Sequence, residues 1–585
     1  PMAFCPFNPA SQEYADFLYY FTDQSQPLDN APEGALCLQY ISSYFAVVHV
    51  PLKSSLPLSL EKYSYYSIPK LFTLLDTSSM EESGIQQVLN TTTLANGGRG
   101  TIIGIADTGI DYTNPLFRNP DGTTRLLSIW DQTLPEDSGQ LPPGVSDLYP
   151  GSGAAYGTEF KEEDINAALE SQDPYTLVPS RDENGHGTFL AGIAAGGFSS
   201  NGEFNGAAPN CRLVVVKLKP AKSYLRDFFL IRPEAAAYQE NDIMMAIKYL
   251  YVAAMSRGMP LVILLGLGTN NGSHEGQSPL SFQLQSITRF PGIISVVAAG
   301  NETGLGHHYQ GELSPEIPYE DVEIYVGSQE MDRGFSMEMW SAGADTFSVG
   351  ILSPGGEMVE RIHPSGGAQV TISFKLINTQ VIVYDQLLES GSGRQLIFFR
   401  FLNPAEGIWR IRVFPSFSLT GEYNLWLPAE SFISPETRFL RPAPYSTITV
   451  PGNSAAALTI GAYNHLNDSI YIHSSRGFTI NNHVKPDLAA PGVNVYGPAL
   501  SRTPSSSPLV MTRRSGTSVA AAHAAGAAAS ILSWGLVEGN DPGMTQTALR
   551  SYLIRGARRS PAFTYPNREW GYGILDLYQT FRSIS

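Results

Sequence analysis

Thr101-Ile-Ile-Gly-Ile-Ala-Asp107-Thr-Gly-Ile-Asp111 is the stretch that decides the fold. A β-branched apolar run ending in Asp-Thr-Gly reads as a buried parallel strand with an acid at its C-terminal end. In open α/β sheets, sites are built at that end of the strands. Taken alone, Asp107 reads as readily as the cap of a loop. Working outward, Ile293-Ile-Ser-Val-Val-Ala298-Ala299-Gly300-Asn301 is another apolar strand, ending in an amide side chain. Asn184-Gly-His186-Gly-Thr-Phe-Leu-Ala-Gly-Ile-Ala-Ala-Gly196 predicts a tightly packed helix with His186 at its start. The glycines flanking His186 let a second backbone approach closely. In Arg514-Ser-Gly-Thr-Ser518-Val-Ala-Ala-Ala-His523 the serine stands where a loop enters an Ala-rich helix. Free N–H groups and partial positive charge surround a hydroxyl there, although a Ser before a helix is also an ordinary cap.

Together these segments supply a carboxylate, an imidazole and a hydroxyl in the order Asp107, His186, Ser518. A serine hydroxyl is a poor nucleophile at neutral pH. It needs a neutral imidazole to take its proton and a carboxylate to hold the right tautomer. Donors for the oxyanion are needed too, and Asn301 with the Ser518 N–H would provide them.

Composition sets limits on other functions. The 585 residues are 43% apolar and only 16% charged, so most of the chain should be packed and ordered. Acids outnumber bases 54 to 37, giving a formal charge of −17, which argues against nucleic acid as a partner. No run of about 18 apolar residues is read, so no membrane span is expected. Pro1-Met-Ala-Phe-Cys-Pro lacks a basic region followed by an apolar one, so no signal peptide is expected in it. Cys5, Cys37 and Cys211 are too widely spaced to suggest a disulfide framework or a zinc site. His307 and His308 lack an evident third ligand and read as structural.

The motifs resemble those of the subtilisin-like serine proteases. Asp107-Thr-Gly, Gly185-His186-Gly-Thr and Gly516-Thr-Ser518 match the three active-site motifs, and Ala298-Ala-Gly-Asn301 the oxyanion segment. Val484-Lys-Pro-Asp-Leu-Ala-Ala-Pro-Gly492 matches the stretch before the nucleophile. The resemblance implies an α/β fold with a parallel-sheet catalytic domain over 78–305 and 451–585. It also implies that Leu267 and Gly268 lie on a strand pairing with substrate backbone, and that Ala298, Ala299 and Gly300 line the pocket for the residue before the cut. The chain departs from the family pattern at Gly266, where many members have Ser, and at Ala522, where Pro is usual. A calcium-binding acid common in the family is replaced by Leu116, and the Gly196–Asn205 loop offers only carbonyls. No cofactor, no metal and no obligatory calcium are expected.

Residues 1–77 resemble the family's propeptide, an intramolecular chaperone and inhibitor. Tyr44–Val50 predicts a strand and Tyr14–Phe21 a strand or helix. Counting back from Asp107 by the family's usual spacing places self-cleavage after Thr77, before Ser78, within a few residues. Residues 306–450 exceed what a compact member needs. About eight alternating strands there, from Val322–Val326 to Tyr423–Leu427, predict an inserted β-sandwich of jelly-roll type that braces the catalytic domain.

Insert, propeptide and intact triad together resemble the Csp proteases of spore-forming clostridia. That implies a soluble, spore-associated endopeptidase that self-cleaves, retains its propeptide non-covalently and activates a cortex-lytic precursor in germination. Alternatives are a pseudoprotease or sensor with an idle triad, a binding module built on the insert, or a gut-anaerobe protease with an unrelated protein substrate.

Overall fold

In the computed structural model the described residues are 5, 7–21, 34–78, 97–135, 156–199, 204–314, 316–363, 369–500 and 509–584. Near the N-terminus, β1 (Tyr14–Tyr20), β2 (Cys37–Tyr40) and β3 (Phe45–Pro51) form an antiparallel sheet in the order β1-β3-β2. Both of its faces are covered. Phe45 and Val47 join one apolar cluster with the catalytic core, while Ala46, Val48 and Val50 join another.

The cysteine expectation is corrected here. Cys5 and Cys37 form a disulfide with Cα atoms 5.3 Å apart, and Cys211 is free and buried. Phe7 stacks on Tyr14, and the chain reverses to bring Cys5 beside Cys37 at the start of β2. That reversal depends on tertiary packing, which spacing along the chain does not show. Cys5, Cys37 and His49 cluster closely enough to suggest a metal site, but the sulfurs are spent on each other. His49 meets Asp16 through Nδ1 and Gln39 through Nε2, each at 2.9 Å.

Two short strands, β4 (Leu71–Leu74) and β5 (Thr77–Ser78), lead into the central sheet. Its strands include β6 (Ile102–Asp107), β7 (Leu126–Asp131), β8 (Thr158–Lys161) and β9 (Arg212–Lys217). After the short β10 (Tyr238–Gln239) come β11 (Leu261–Leu265), β12 (Leu267–Gly268) and β13 (Ile293–Ala298). The nine-stranded sheet runs Ser469–Ile470, Leu458–Asn464, β13, β11, β6, β9, β7, β8, with Leu488–Pro491 also on Leu458–Asn464. Its inner pairs are parallel. From β6 the chain goes out to β7 and β8, returns to β9 directly beside β6, and then crosses to β11 on the other side of β6. The order therefore reverses beside β6, whose carboxyl end carries Asp107.

Apolar residues occupy both sides of these strands because both faces are covered. Ile103 and Ile105 face the helices His186–Ala195 and Thr517–Leu532, while Ile102 and Ala106 face Glu240–Met255. By length and composition Thr517–Val537 could cross a membrane, yet 83% of its apolar window is buried inside the protein, as a core helix would be.

Between His308 and Phe439 lie two antiparallel sheets, one six-stranded and one five-stranded. The eight strands expected from alternation are present. His308–Glu312, Met358–Ile362 and Arg438–Phe439 are additional. Met337, Met339, Ile397 and Phe399 point between the two sheets. Trp340, Leu396 and Phe398, on the outer face of the six-stranded sheet, pack with Phe17, Tyr65 and Phe228. The N-terminal unit, the central domain and the insert thus share one apolar cluster.

One buried acid links the same three parts. Glu338 accepts hydrogen bonds from Tyr65 Oη, Asn271 Nδ2 at 2.6 Å, the Gly272 N–H at 2.9 Å and Trp340 Nε1 at 2.9 Å. Burial pushes its carboxyl above the ordinary value, against the pull of these donors. On the other side of the N-terminal unit, Lys222 Nζ donates to Pro9 O at 2.6 Å, Tyr14 O at 3.0 Å and Asp16 Oδ1 at 2.8 Å.

Candidate active site

Asp107 ends β6, and its Oδ1 accepts from the Thr108 N–H at 2.8 Å and meets His186 Nδ1 at 2.7 Å. His186 opens the helix His186–Ala195. A Cβ on Gly187 would lie 2.2 Å from Gly109 O, so glycine there lets the helix start abut the turn after β6. His186 Nε2 lies 3.1 Å from Ser518 Oγ, and Asp107, His186 and Ser518 are all fully buried. With Nδ1–H donated to Asp107, Nε2 keeps its lone pair for the serine proton.

Asp182 was not legible as part of this site. It accepts from the Gly185 N–H at 2.7 Å, the Thr188 N–H at 2.9 Å, Thr188 Oγ1 at 2.7 Å and Thr108 Oγ1 at 2.9 Å. It therefore fixes the helix start to the end of β6. Its only sequence signal is its position four residues before His186, at a helix N-terminus where an acid is favoured.

Asn301 follows β13. Its Oδ1 accepts from the Thr517 N–H and Thr517 Oγ1, each at 3.1 Å, which fixes the amide and leaves Nδ2 as its donor. Gly300 N–H donates to Thr517 Oγ1 at 3.1 Å. Ala298 pairs with Ile460, and Ala299 bonds Ile460 and Thr449 through its backbone. Thr449 also crowds the positions a Cβ would take on Gly268 and Gly300, so it packs between these two segments, which no local sequence feature indicates.

The cleft is filled by the chain itself. β4 lies antiparallel between β12 and β10, with Leu74 opposite Leu267, Thr73 opposite Gly268 and Phe72 opposite Tyr238. Leu75 N–H donates to Gly266 O at 3.1 Å, and Leu75 O accepts from the Ser518 N–H at 3.3 Å. The Leu75 side chain is buried, and a Cβ on Gly268 would come 2.9 Å from its Cδ1. A Cβ on Gly516 would lie 2.4 Å from Leu75 O and 2.7 Å from Asp76 Cα, so glycine before the nucleophile makes room for the strand. Beyond Leu75, Asp76 Oδ2 accepts from Arg514 Nη1 at 2.6 Å while its Oδ1 lies 3.7 Å from His186 Nε2. Thr77 and Ser78 then pair with Ser515 and Arg514. The carbonyl facing the Ser518 N–H thus belongs to Leu75, two residues before the expected Thr77 and within the span of that expectation. A count back from Asp107 cannot reveal which residue the cleft's hydrogen bonds select.

Burial disfavours a charged His186, but Asp107 and then Asp76 outweigh it and raise the ring to about 9.

Other candidates fall outside the site. His307 Nδ1 meets Glu302 Oε2 at 2.7 Å. His308 stacks on Trp426 and meets Tyr445 O and Asn424 Oδ1, and burial lowers it to about 4. Near Leu116, the Arg125 guanidinium donates to the carbonyls of Leu116, Ala195, Pro209 and Cys211, so an internal cation already serves them. Residues 200–203 of the Gly196–Asn205 loop lie outside the described residues.

An Asp–His–Ser array at the carboxyl ends of a parallel sheet, with a peptide strand against the serine, defines a serine hydrolase built to hold extended chains. The model of the subtilase family matches residues 98–373 and 442–573, and the chain belongs to that family of serine proteases. It is similar to the CspB protease of Clostridium perfringens, with a TM-score of 0.72 and 29% identity over 84% of this chain and 96% of that one. It is also 24% identical over 508 residues to Subtilisin-like protease SBT3.1 of Arabidopsis thaliana. That match covers 80% of this chain but 57% of the plant protein, so the chain spans little more than half that relative's length. The fold is the α/β subtilisin-like one.

Proposed function

We propose that this chain is a serine endopeptidase whose first substrate is its own Leu75–Asp76 bond. The observation that carries the reading is the pair of hydrogen bonds at Leu75, its N–H to Gly266 O at 3.1 Å and its carbonyl to the Ser518 N–H at 3.3 Å. Ser518 Oγ attacks the Leu75 carbonyl as His186 Nε2 takes the hydroxyl proton. Asp107 orients the ring and stabilises its charged form. The Ser518 N–H and Asn301 Nδ2 hold the oxyanion. His186 then gives the proton to the amine of Asp76, which leaves, and water hydrolyses the acyl-serine by the same route reversed.

After cleavage the N-terminal unit stays bound and keeps Leu75 in the pocket. The shared apolar cluster, Glu338 and Lys222 support retention. The insert serves as the brace that holds it. The likeness to a CspB protease supports the finer role implied by the sequence, activation of a cortex-lytic precursor in germination.

The test is labelling of Ser518 by a fluorophosphonate, with cleavage of a peptide carrying residues 70–80 followed by mass spectrometry. A labelled serine and a product ending in Leu support the endopeptidase. An unlabelled serine with an intact peptide and an uncut chain overturns it in favour of an idle triad. Incubation with a cortex-lytic precursor tests the finer role separately: Ser518-dependent shortening supports it, and an unchanged precursor removes it.

A further inference from the structure

The cleft has a charged wall on its leaving-group side. Arg514 lies on the strand Met511–Ser515, which pairs with β5, and its Nη1 donates to Asp76 Oδ2 at 2.6 Å. The guanidinium is held in place: Nη2 donates to Asn184 O at 3.2 Å, and the group lies 5.7 Å from the Phe189 ring. The side chains of Arg514 and Asp76 are only 14% and 7% exposed. The adjacent Arg513 reaches elsewhere, to Asn494 O and the Tyr496 ring, so the charge in the cleft is that of Arg514. In a chain of net charge −17, a fixed arginine beside the reacting serine marks a place that receives a negative group.

Resting on the endopeptidase reading, we propose that Arg514 is a specificity residue on the leaving-group side, selecting substrates with an acidic residue, Asp foremost, directly after the cleaved bond. A carboxylate there gains a charge-assisted hydrogen bond from a donor already positioned. A neutral residue leaves the largely buried guanidinium without that partner, and a lysine meets it with like charge. Asp76 is the first such residue, and protein substrates cut in trans share the feature.

The experiment measures kcat/KM for three peptides that share Leu-Phe-Thr-Leu-Leu before the cut and carry Asp, Ala or Lys after it. The wild type should favour Asp over Ala by on the order of tenfold, the scale of one hydrogen bond to a charged group. Arg514→Ala should bring the ratio near one, Arg514→Lys should keep part of it, and Arg514→Glu should favour Lys over Asp. Self-processing gives a second readout that needs no access to the cleft. Asp76→Lys and Arg514→Glu should each slow it, and the double variant should recover much of the rate. Equal wild-type rates for Asp and Ala, or a preference unchanged in Arg514→Ala, overturn the assignment and leave the endopeptidase reading standing. Cleavage of none of the peptides, with no self-processing, overturns both.

Discussion

The central nine-stranded sheet and the two antiparallel sheets between His308 and Phe439 are both β, yet they place different residues. Asp107, Asn301 and the strand β12 sit at the carboxyl ends of parallel strands, and His186 and Ser518 at helix starts facing them. The described residues of the insert supply no member of that array. They supply Glu338, Trp340 and Phe398, which meet the N-terminal unit instead. On the proposed reading, variants in the two regions should fail in different ways, one in rate and the other in retention of the N-terminal unit.

The largest effect should come from the core. Asp107→Asn leaves the shape but favours the wrong tautomer of His186, and self-processing should fall by roughly four orders of magnitude. Asn301→Ala should lower kcat by about 10²–10³, or roughly 3–4 kcal/mol, the scale known for subtilisin. In both, the N-terminal unit should remain docked, as read by gel filtration. Glu338→Ala acts in the opposite sense. It leaves four donors without their acceptor, and docking of the N-terminal unit should weaken by about 3 kcal/mol. Co-elution of the two fragments after cleavage measures this, and tight co-elution in Glu338→Ala would break the comparison. Arg125→Ala strands four carbonyls of the central domain and should lower its unfolding free energy by about 3 kcal/mol in urea titration.

The smallest predicted effect concerns pH. Asp107 and Asp76 raise His186 to about 9 in the folded chain, above its ordinary value. The stability this contributes is complete below the unfolded pKa and is lost as pH rises through about 9. General-base catalysis needs the neutral ring, so self-processing should accelerate toward that pH. Asp76→Asn removes one of the two carboxylates and should move the midpoint downward. A midpoint unmoved by Asp76→Asn would show that Asp76 does not act on His186.

The two regions also differ in how openly their sequences announce them. β6 and β13 are legible because strands buried on both faces read as unbroken apolar runs ending in a polar group. The insert's strands are legible from alternation, but their second contact was missed. Leu396-Ile-Phe-Phe is itself an unbroken apolar run, the signature of a strand covered twice, and the outer cover comes from the N-terminal unit together with Phe228 and Phe229. Asp107, His186, Asn301 and Ser518 stand in one array because each motif ends a strand or starts a helix at the same sheet edge. Asp182, Thr449 and Arg514 belong to no such motif, since their roles arise where segments distant in sequence meet in space. Leu75 is specified by register: Gly266 O and Ser518 N–H choose it, and no residue count reproduces that choice. The Cys5–Cys37 bridge was hidden for the same reason.

The most direct test is intact-mass analysis of the purified protein beside its Ser518→Ala variant. The wild type should give two fragments, one ending at Leu75 and one beginning at Asp76, while the variant stays a single chain. An uncut wild type, or a variant cut at the same bond, would contradict the claim that Ser518 cleaves the strand seated against it.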